Sequence, residues 1–315
     1  MFNKLLAKGE IMFNKILKAL KRPKVIILYM LNLRIFRFIP DAIFLKIKYR
    51  LVMGKKLDLK NPKTFNEKLQ WLKLYDRRPE YTKMVDKYEV RKYIAKTIGE
   101  EYLIPLLGVY ESFDDIDFDR LPNQFVLKPN HTSGDIYICR DKSKINYVEL
   151  KKEINRWLKR EYYWVQREWP YKNIKPRIIC ERYMVDESGT ELKDYKFMCF
   201  NGEVKCLFVG LNRYTSGGLN VDFYDMDWKP MPFERHYKRS GKLIPKPKNL
   251  GRMVEFAKKL SKNIPFVRVD FYEVDGHLYF GELTFYPGAG FEEFTPEKYD
   301  YVLGSWLELP SGRIK

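Results

Sequence analysis

Between Phe266 and Gly290 the chain alternates apolar and polar positions with period two on either side of Asp275-Gly276. Such alternation predicts two half-buried strands, and Asp-Gly suits the type I′ turn of a tight hairpin. Asn201-Gly202 makes the same prediction for strands over 194–200 and 203–210. Further strands are expected at 124–128, 135–140, 176–184 and 220–225. Elsewhere the period changes to that of a helix. Thr64-Phe-Asn-Glu67 has the form of a capping box and opens a stretch with Phe65, Leu69 and Leu72 on one face. Asp86-Lys-Tyr-Glu89 has the same form and leads into a helix ending near Gly99. Asn146-Tyr-Val-Glu149 starts a third helix, and Asn249 caps a fourth running to about Lys262. A Lys- and Pro-rich loop over 229–249 is expected to separate the last two modules. Helices mixed with antiparallel hairpins give an α+β fold rather than a doubly wound parallel sheet.

A chain of 315 residues can bury a substantial core, and its 23 Tyr and 21 Phe argue against disorder. The net charge of +18 changes the picture because it is unevenly placed. Residues 1–60 hold 15 Lys and Arg against 3 Asp and Glu, a balance of +12, which leaves about +6 for the rest. The cations interleave with apolar residues, as in Ile35-Phe-Arg-Phe-Ile39 and Phe44-Leu-Lys-Ile-Lys-Tyr49. That pattern suits a helical segment on an anionic membrane surface. A nucleic-acid partner is not expected, because no binding motif accompanies the charge. A basic lobe packed on the body is the remaining alternative. The longest apolar run, Val25 to Leu31, is too short to span a bilayer, and no signal-peptide cleavage pattern follows it. The expected location is cytoplasmic, peripheral at the inner face of the membrane. The division that follows is 1–60 as the basic segment and 61–310 as the body.

Two smaller features bear on compartment and start. Cys139, Cys180, Cys199 and Cys206 fall in predicted strands without metal or redox spacing, as reduced cysteines would. Met1-Phe-Asn-Lys-Leu-Leu and Met12-Phe-Asn-Lys-Ile-Leu nearly repeat, and Lys8-Gly-Glu-Ile before Met12 is compatible with a purine-rich ribosome-binding site. Met12 is therefore expected to be the natural start, which N-terminal sequencing would check.

Candidate chemistry gathers on the predicted strands. Asp270 and Glu282 sit on paired strands, and Arg268 shares the face of Asp270. Two carboxylates converging beside a cation suit Mg²⁺ held together with substrate phosphates; an exposed, charge-decorated hairpin is the alternative. Phe125-Val-Leu-Lys128 ends a strand in lysine before the small-residue turn Asn130-His-Thr-Ser-Gly-Asp135, whose N–H groups could meet phosphate. It is not a Walker A loop. Lys87 follows an N-cap Asp, Ile178–Met184 is an apolar strand turning polar at Glu181, Asp194 and Lys196 share a strand face, and Arg213 follows another strand.

In this order these features resemble the TupA-like family of the ATP-grasp superfamily, found in bacterial surface-polysaccharide loci. The phrases are Asn61-Pro-Lys-Thr-Phe-Asn-Glu-Lys-Leu-Gln-Trp71, Val85-Asp-Lys-Tyr88, Phe125-Val-Leu-Lys128, Asp194-Tyr-Lys-Phe197, Arg268-Val-Asp-Phe-Tyr272 and Phe280-Gly-Glu-Leu-Thr-Phe285, within about residues 45–310. The resemblance implies two α+β lobes gripping ATP. It implies that Lys87, Lys128 and Lys196 bind phosphates under a flap containing Ser133-Gly134. Glu181 and the Tyr183 backbone would contact adenine, and Asp194 the ribose. Asp270 and Glu282 would hold Mg²⁺, with Thr284 where superfamily members usually carry Asn. Arg213 and Arg268 would stabilise the transferring phosphoryl group or the acceptor carboxylate.

The activity implied is an ATP- and Mg²⁺-dependent carboxylate–amine ligase of capsule or surface-polysaccharide synthesis, working through an acyl phosphate. Its partners would be a glycan or uronic-acid acceptor and an amine or amino acid. Rival readings are a glycosyltransferase, for which Asp225-Met-Asp227 supplies an Asp-x-Asp, an ATP-grasp glycan kinase, and a non-catalytic nucleotide-binding scaffold. Trp164, Trp169 and Tyr171 either line a glycan groove or pack inside.

Overall fold

A computed structural model describes residues 23–186, 192–211 and 218–311. Along the chain run helices α1 (Pro23–Leu31), α2 (Asp41–Met53), α3 (Phe65–Tyr75), α4 (Glu80–Val85) and α5 (Val90–Thr97). Strands β1 (Leu106–Tyr110), β2 (Phe125–Pro129) and β3 (Tyr137–Cys139) follow, then α6 (Tyr147–Leu158), α7 (Tyr163–Gln166) and β4 (Ile178–Arg182). Next come β5 (Asp194–Phe200), β6 (Glu203–Leu211), β7 (Asn220–Tyr224), β8 (Glu234–Arg235) and α8 (Leu250–Leu260). The chain closes with β9 (Phe266–Val274), β10 (His277–Thr284), β11 (Phe294–Thr295) and α9 (Lys298–Trp306). The α+β class expected from the sequence is the one observed.

Local signals explain several boundaries. The Thr64 hydroxyl accepts from the Glu67 N–H at 3.2 Å, and the Glu67 carboxylate accepts from the Thr64 N–H at 3.1 Å, completing the predicted capping box of α3. Asn146 caps α6 through the Glu149 N–H. Asn201-Gly202 and Asp275-Gly276 have φ of 50° and 85°, and of 51° and 78°, the left-handed pairs a type I′ turn needs. Two predicted caps differ. Asp86 accepts from the N–H groups of Tyr88 and Glu89, but Glu89 does not reciprocate, and α5 starts only at Val90. Asn249 does not cap α8; its amide donates to Glu273 and to the Gly276 carbonyl, tying the helix start to the β9–β10 turn.

The strands form two larger antiparallel sheets and a short antiparallel pair of β8 with β11. β1-β4-β2-β3 backs onto α6, with Phe125, Leu127, Cys180, Ile154 and Trp157 buried between them. This is the smaller lobe. β10-β9-β5-β6-β7 carries the larger lobe, whose core takes Val267, Val269 and Phe271 of β9 with Met253, Phe256 and Ala257 of α8. Alternation sends Arg268, Asp270 and Tyr272 to the opposite face, toward the smaller lobe. Leu103–Pro105 joins the lobes: Leu103 bridges Phe280 of β10, and the Pro105 carbonyl accepts from the Arg182 N–H. The loop over 229–249 does not separate modules. Its Phe233 and Ile244 are buried in the larger core, and β5–β7 share one sheet with β9 and β10 because β5 pairs with β9. All four cysteines are buried, unpaired and on strands.

The described part of the basic segment packs through α2. Phe44, Leu45, Tyr49 and Met53 are buried with Leu57, beside Leu74 and Phe291. Asp41 at the start of α2 meets Arg77 at 2.6 Å, the Tyr163 hydroxyl at 2.7 Å and Arg167 at 3.1 Å. Among the described residues no helix is long and apolar enough to cross a membrane.

Candidate active site

A cleft of about 580 Å³ opens between the lobes. From the smaller lobe it is lined by Lys128 and the turn Ser133–Ile136, and from the larger by Asp194, Lys196, Arg268, Asp270, Tyr272 and Glu282. An adjoining pocket of about 140 Å³ shares Lys128, Ile136, Asp194 and Tyr272 with it, and adds Ile104, Val126, Ile138, Tyr183, Met184 and Val185. An apolar slot that continues into a charged cleft suits a ligand with one flat apolar end and one anionic end.

The charged end is built by register. Lys196 lies opposite Asp270 in the β5–β9 pairing. On the other side Phe271 pairs with Phe280 but Val269 pairs with Leu283, so Gly281 and Glu282 together face Asp270. This bulge turns Glu282 toward the face that carries Arg268 and Asp270. The Arg268 guanidinium then spans both acids, donating to Asp270 Oδ1 at 2.7 Å, to Asp270 Oδ2 at 2.6 Å and to Glu282 Oε1 at 2.6 Å. Lys196 Nζ meets Asp270 Oδ2 at 2.6 Å and Asp194 Oδ2 at 3.1 Å. Thr284 Oγ1 donates to Glu282 Oε1 at 3.1 Å.

Environment separates the two carboxyls. Asp270 is buried, and burial raises its pKa against the pull of Arg268 and Lys196. Burial also pushes Glu282 up, yet Arg268, Lys196 and Lys87 outweigh it and bring the group to about 2. Its side chain is 40% exposed and faces the cleft. Arg268 is held charged: desolvation opposes it, and the two acids overcome that.

Lys128 of the smaller lobe and the α4–α5 region supply further cations. Lys128 Nζ is paired with Glu181 Oε2 at 2.7 Å, and Arg91 of α5 stands 3.7 Å from Glu181 Oε1. Lys87 lies in the turn before α5, its backbone N–H donating to the Asn130 carbonyl and its ammonium to the Thr132 carbonyl. Burial lowers its pKa to about 8, with Lys128 adding repulsion and Glu282 attraction. Ser133 and Gly134 are exposed at the tip of the turn, where Thr132 Oγ1 and Arg160 both donate to Asp135. Gly134 has φ of 86°, and a Cβ there would meet nothing within 4 Å, so the turn stands clear of its surroundings. The Tyr183 hydroxyl accepts from Arg140 at the mouth of the apolar pocket.

Lys87, Lys128, Ser133, Gly134, Asp194, Lys196, Arg268, Asp270 and Glu282 thus line one cleft, Thr284 touches it through Glu282, and Glu181 and Tyr183 line the adjoining pocket. Arg213 lies outside the described residues. Asp225-Met-Asp227 does not line the cleft. Asp225 accepts from the N–H groups of Asp227 and Lys229, closing a turn after β7. Trp164 is flanked by the guanidiniums of Arg37 and Arg167 at 4.8 and 4.5 Å, and the Tyr171 ring packs on Tyr162. Sequence reading passed over Tyr272, which the period of two places on the face of Arg268 and Asp270. Arg91 and Arg235 carry no local signal, and tertiary packing alone brings them to the site.

A Mg²⁺ held by one or two carboxylates and by substrate phosphates fits this donor set. Asp270 receives three hydrogen bonds and Glu282 Oε1 receives two, while a carboxylate offers about four acceptor positions. Glu282, facing the cleft, keeps the more open oxygen. Among the described residues no group of three or more His, Cys, Asp or Glu forms a closed metal cage, so phosphate oxygens would have to complete the shell.

The family model for TupA-like ATPgrasp matches residues 67–308, a span that includes every cleft residue named above. The chain belongs to the TupA-like ATP-grasp family. Among solved structures, D-alanine–D-alanine ligase from Bacillus anthracis complexed with ATP aligns at 15% identity over 64% of this chain and 55% of that one, with a TM-score of 0.40. The D-alanine–D-alanine ligase of Helicobacter pylori aligns at 13% identity over 79% of this chain and 68% of that one, TM-score 0.40. D-cycloserine synthetase DcsG aligns at 14% over 72% and 71%, TM-score 0.37. The chain spans little more than half the length of the Bacillus enzyme it matches. No curated protein sequence matches it.

Proposed function

We propose that this TupA-like ATP-grasp protein is an ATP- and Mg²⁺-dependent carboxylate–amine ligase acting on bacterial capsule or surface polysaccharide. The observation that carries the reading is the bulged hairpin, which puts Arg268, Asp270 and Glu282 within one hydrogen-bonded cluster at the charged end of the cleft. Adenine fits the apolar slot beside Glu181, Tyr183 and Met184, and Asp194 stands where slot and cleft meet, in reach of a ribose. Lys87, Lys128 and Lys196 would face the phosphates. Mg²⁺, held by Glu282 and Asp270, would neutralise charge on the phosphate oxygens. The acceptor carboxylate oxygen attacks the γ-phosphorus, breaking its bond to the β-γ bridging oxygen and releasing ADP with an acyl phosphate. The amine nitrogen then attacks the acyl carbon, phosphate leaves, and the amine gives up a proton. Neither step needs a covalent enzyme nucleophile. Arg268 and Lys196 act by holding charge in place at the transferring group, where fixed cations in a poorly solvated cleft are most effective.

Incubation with ATP, Mg²⁺, amino-acid pools and uronic-acid glycans should release ADP and give an amide. The variants Asp270→Asn and Glu282→Gln should lower ADP release by about 100-fold or more. ADP with a phosphorylated glycan would redirect the assignment to a kinase. Binding of a UDP-sugar without ATP binding would overturn the ligase reading.

A further inference from the structure

The ATP reading leaves the N-terminal lobe unexplained. Helix α1, Pro-Lys-Val-Ile-Ile-Leu-Tyr-Met-Leu, is apolar at every position from Val25 to Leu31, yet Leu31 is its one buried side chain among those described. Helices of that kind are ordinarily enclosed by protein or lipid. After it, Leu33, Ile35 and Phe38 are exposed, Ile35 at 71% and Phe38 at 79%. On α2 the inward face carries Phe44, Leu45, Lys48 and Tyr49, and the outward face carries Ile43, Lys46, Ile47 and Arg50. Large apolar residues therefore crowd one short stretch of surface, interleaved with cations.

The charge says what can cover it. Residues 23–60 hold nine Lys and Arg against two Asp. Asp41 is already neutralised by Arg77 and Arg167, so it offers nothing to a partner. A second copy of the same lobe would bring like charge to like charge. Phosphates of nucleic acid would match the cations but not the apolar side chains. A lipid surface with anionic headgroups matches both, the acyl boundary taking Ile35, Phe38, Ile43 and Ile47 while the headgroups take Lys24, Lys46 and Arg50.

We propose that α1, the turn through Phe38 and the outward face of α2 form a docking surface for anionic membranes. The position of this surface relative to the cleft gives it a purpose. The inward face of α2 packs Tyr49 against Phe291, with ring centroids 6.2 Å apart and tilted by 51°, and Phe291 follows the turn Pro287–Gly290 that borders the cleft with Glu292. One helix diameter, roughly 10 Å, thus separates the lipid-facing side of α2 from Phe291. An acceptor anchored in the bilayer would meet the enzyme on the side where the Pro287–Gly290 turn lies. The docking surface itself stands independently of the ATP chemistry, since none of its residues lines the cleft.

Flotation of the full chain with phosphatidylglycerol-containing vesicles, against pure phosphatidylcholine vesicles, tests this. Binding should require phosphatidylglycerol and weaken with added salt. Lys24→Gln, Lys46→Gln and Arg50→Gln combined should lower the partition coefficient on the order of 100-fold, at about one kcal/mol for each cation and a tenfold change for each 1.4 kcal/mol. Ile35→Asp with Phe38→Asp should abolish flotation, while Mg²⁺-ATP binding and the thermal melt stay as in the parent, showing that the variant is folded. Equal binding to neutral vesicles would overturn the proposal, as would flotation unchanged in both variants. So would binding to mixed-sequence single-stranded RNA without flotation, or a dimer abolished by Ile35→Asp/Phe38→Asp in a protein that ignores vesicles.

Discussion

Gly281 allows a close backbone approach in the site. A Cβ there would stand 3.1 Å from the Asp270 carbonyl oxygen and from Tyr272 Cε2, and 3.2 Å from Asp270 Cβ. Gly281→Ala should therefore destabilise the protein by about 1–3 kcal/mol in urea denaturation, the usual penalty for overpacking. It should also weaken Mg²⁺-ATP binding by calorimetry, because the bulge that aims Glu282 must shift. A variant with parent-like stability and binding would show that the close packing does not set the aim of Glu282. Lys87 gives a pH signature of a different kind. Burial lowers it to about 8, so its ammonium is present below that pH and lost above it. Affinity for Mg²⁺-ATP should fall as the pH is raised through about 8, and Lys87→Arg, charged throughout, should flatten the profile. The effect on folding has the opposite sign. Between about 8 and the ordinary lysine value of 10.5 the unfolded chain binds more protons, so this group's contribution to stability rises with pH there. Arg268, Asp270 and Lys196 were legible in the sequence because a period of two fixes which face each side chain takes. Arg91 and Arg235 were not, since nothing local records that one reaches Glu181 and the other Glu292.

Helix α3 shows how a local signal and a hidden one coexist in one element. Its capping box and its apolar positions Phe65, Leu69 and Leu72 are plain in the sequence. Lys73, one residue after Leu72, reads as a solvated lysine, yet it is wholly buried and donates to the carbonyls of Ala289 at 2.7 Å and Gln166 at 3.1 Å. Gln70, also buried, donates to the carbonyls of Ala289 and Gly290. The helix therefore clamps a turn in which Gly288, Ala289 and Gly290 all have positive φ, and the clamp is polar because backbone carbonyls there have no strand to pair with. Glu168 is the charge that accompanies Lys73: burial pushes the lysine down and the acid up, and their mutual attraction opposes both. Lys73→Met should cost about 2–4 kcal/mol in urea denaturation, because it leaves the Gln166 and Ala289 carbonyls without their donor and takes from Glu168 one of the two cations, with Lys48, that act on it, against about 1 kcal/mol for removing the cap in Thr64→Ala. Similar losses from the two would mean that the buried lysine bears no more than a cap does. The Asn249 expectation went the other way. A residue type suited to capping was used to hold a neighbouring turn, a choice made by what the fold sets beside it.

At the level of the whole molecule, hairpins were readable because each is closed by its own two-residue turn. The pairing of β5 with β9 was not, because it joins segments some seventy residues apart and no local dipeptide announces it. That pairing makes one sheet of what the Lys- and Pro-rich loop seemed to divide, and it brings Lys196 onto Asp270. The cleft residues all lie within the span that the family model matches. The ion pairs across that meeting carry a consequence for what the cleft admits. Lys128 is balanced by Glu181, Lys196 by Asp194 and Asp270, and Arg268 by Asp270 and Glu282. The resting cleft is thus a nearly neutral salt lattice rather than a positive hole. A bare polyanion entering it gains little from these three cations, since taking any of them leaves a carboxylate stranded. A nucleotide that arrives with its own divalent ion can exchange partners pair for pair, and selectivity for the metal complex over the free nucleotide follows from charge balance alone.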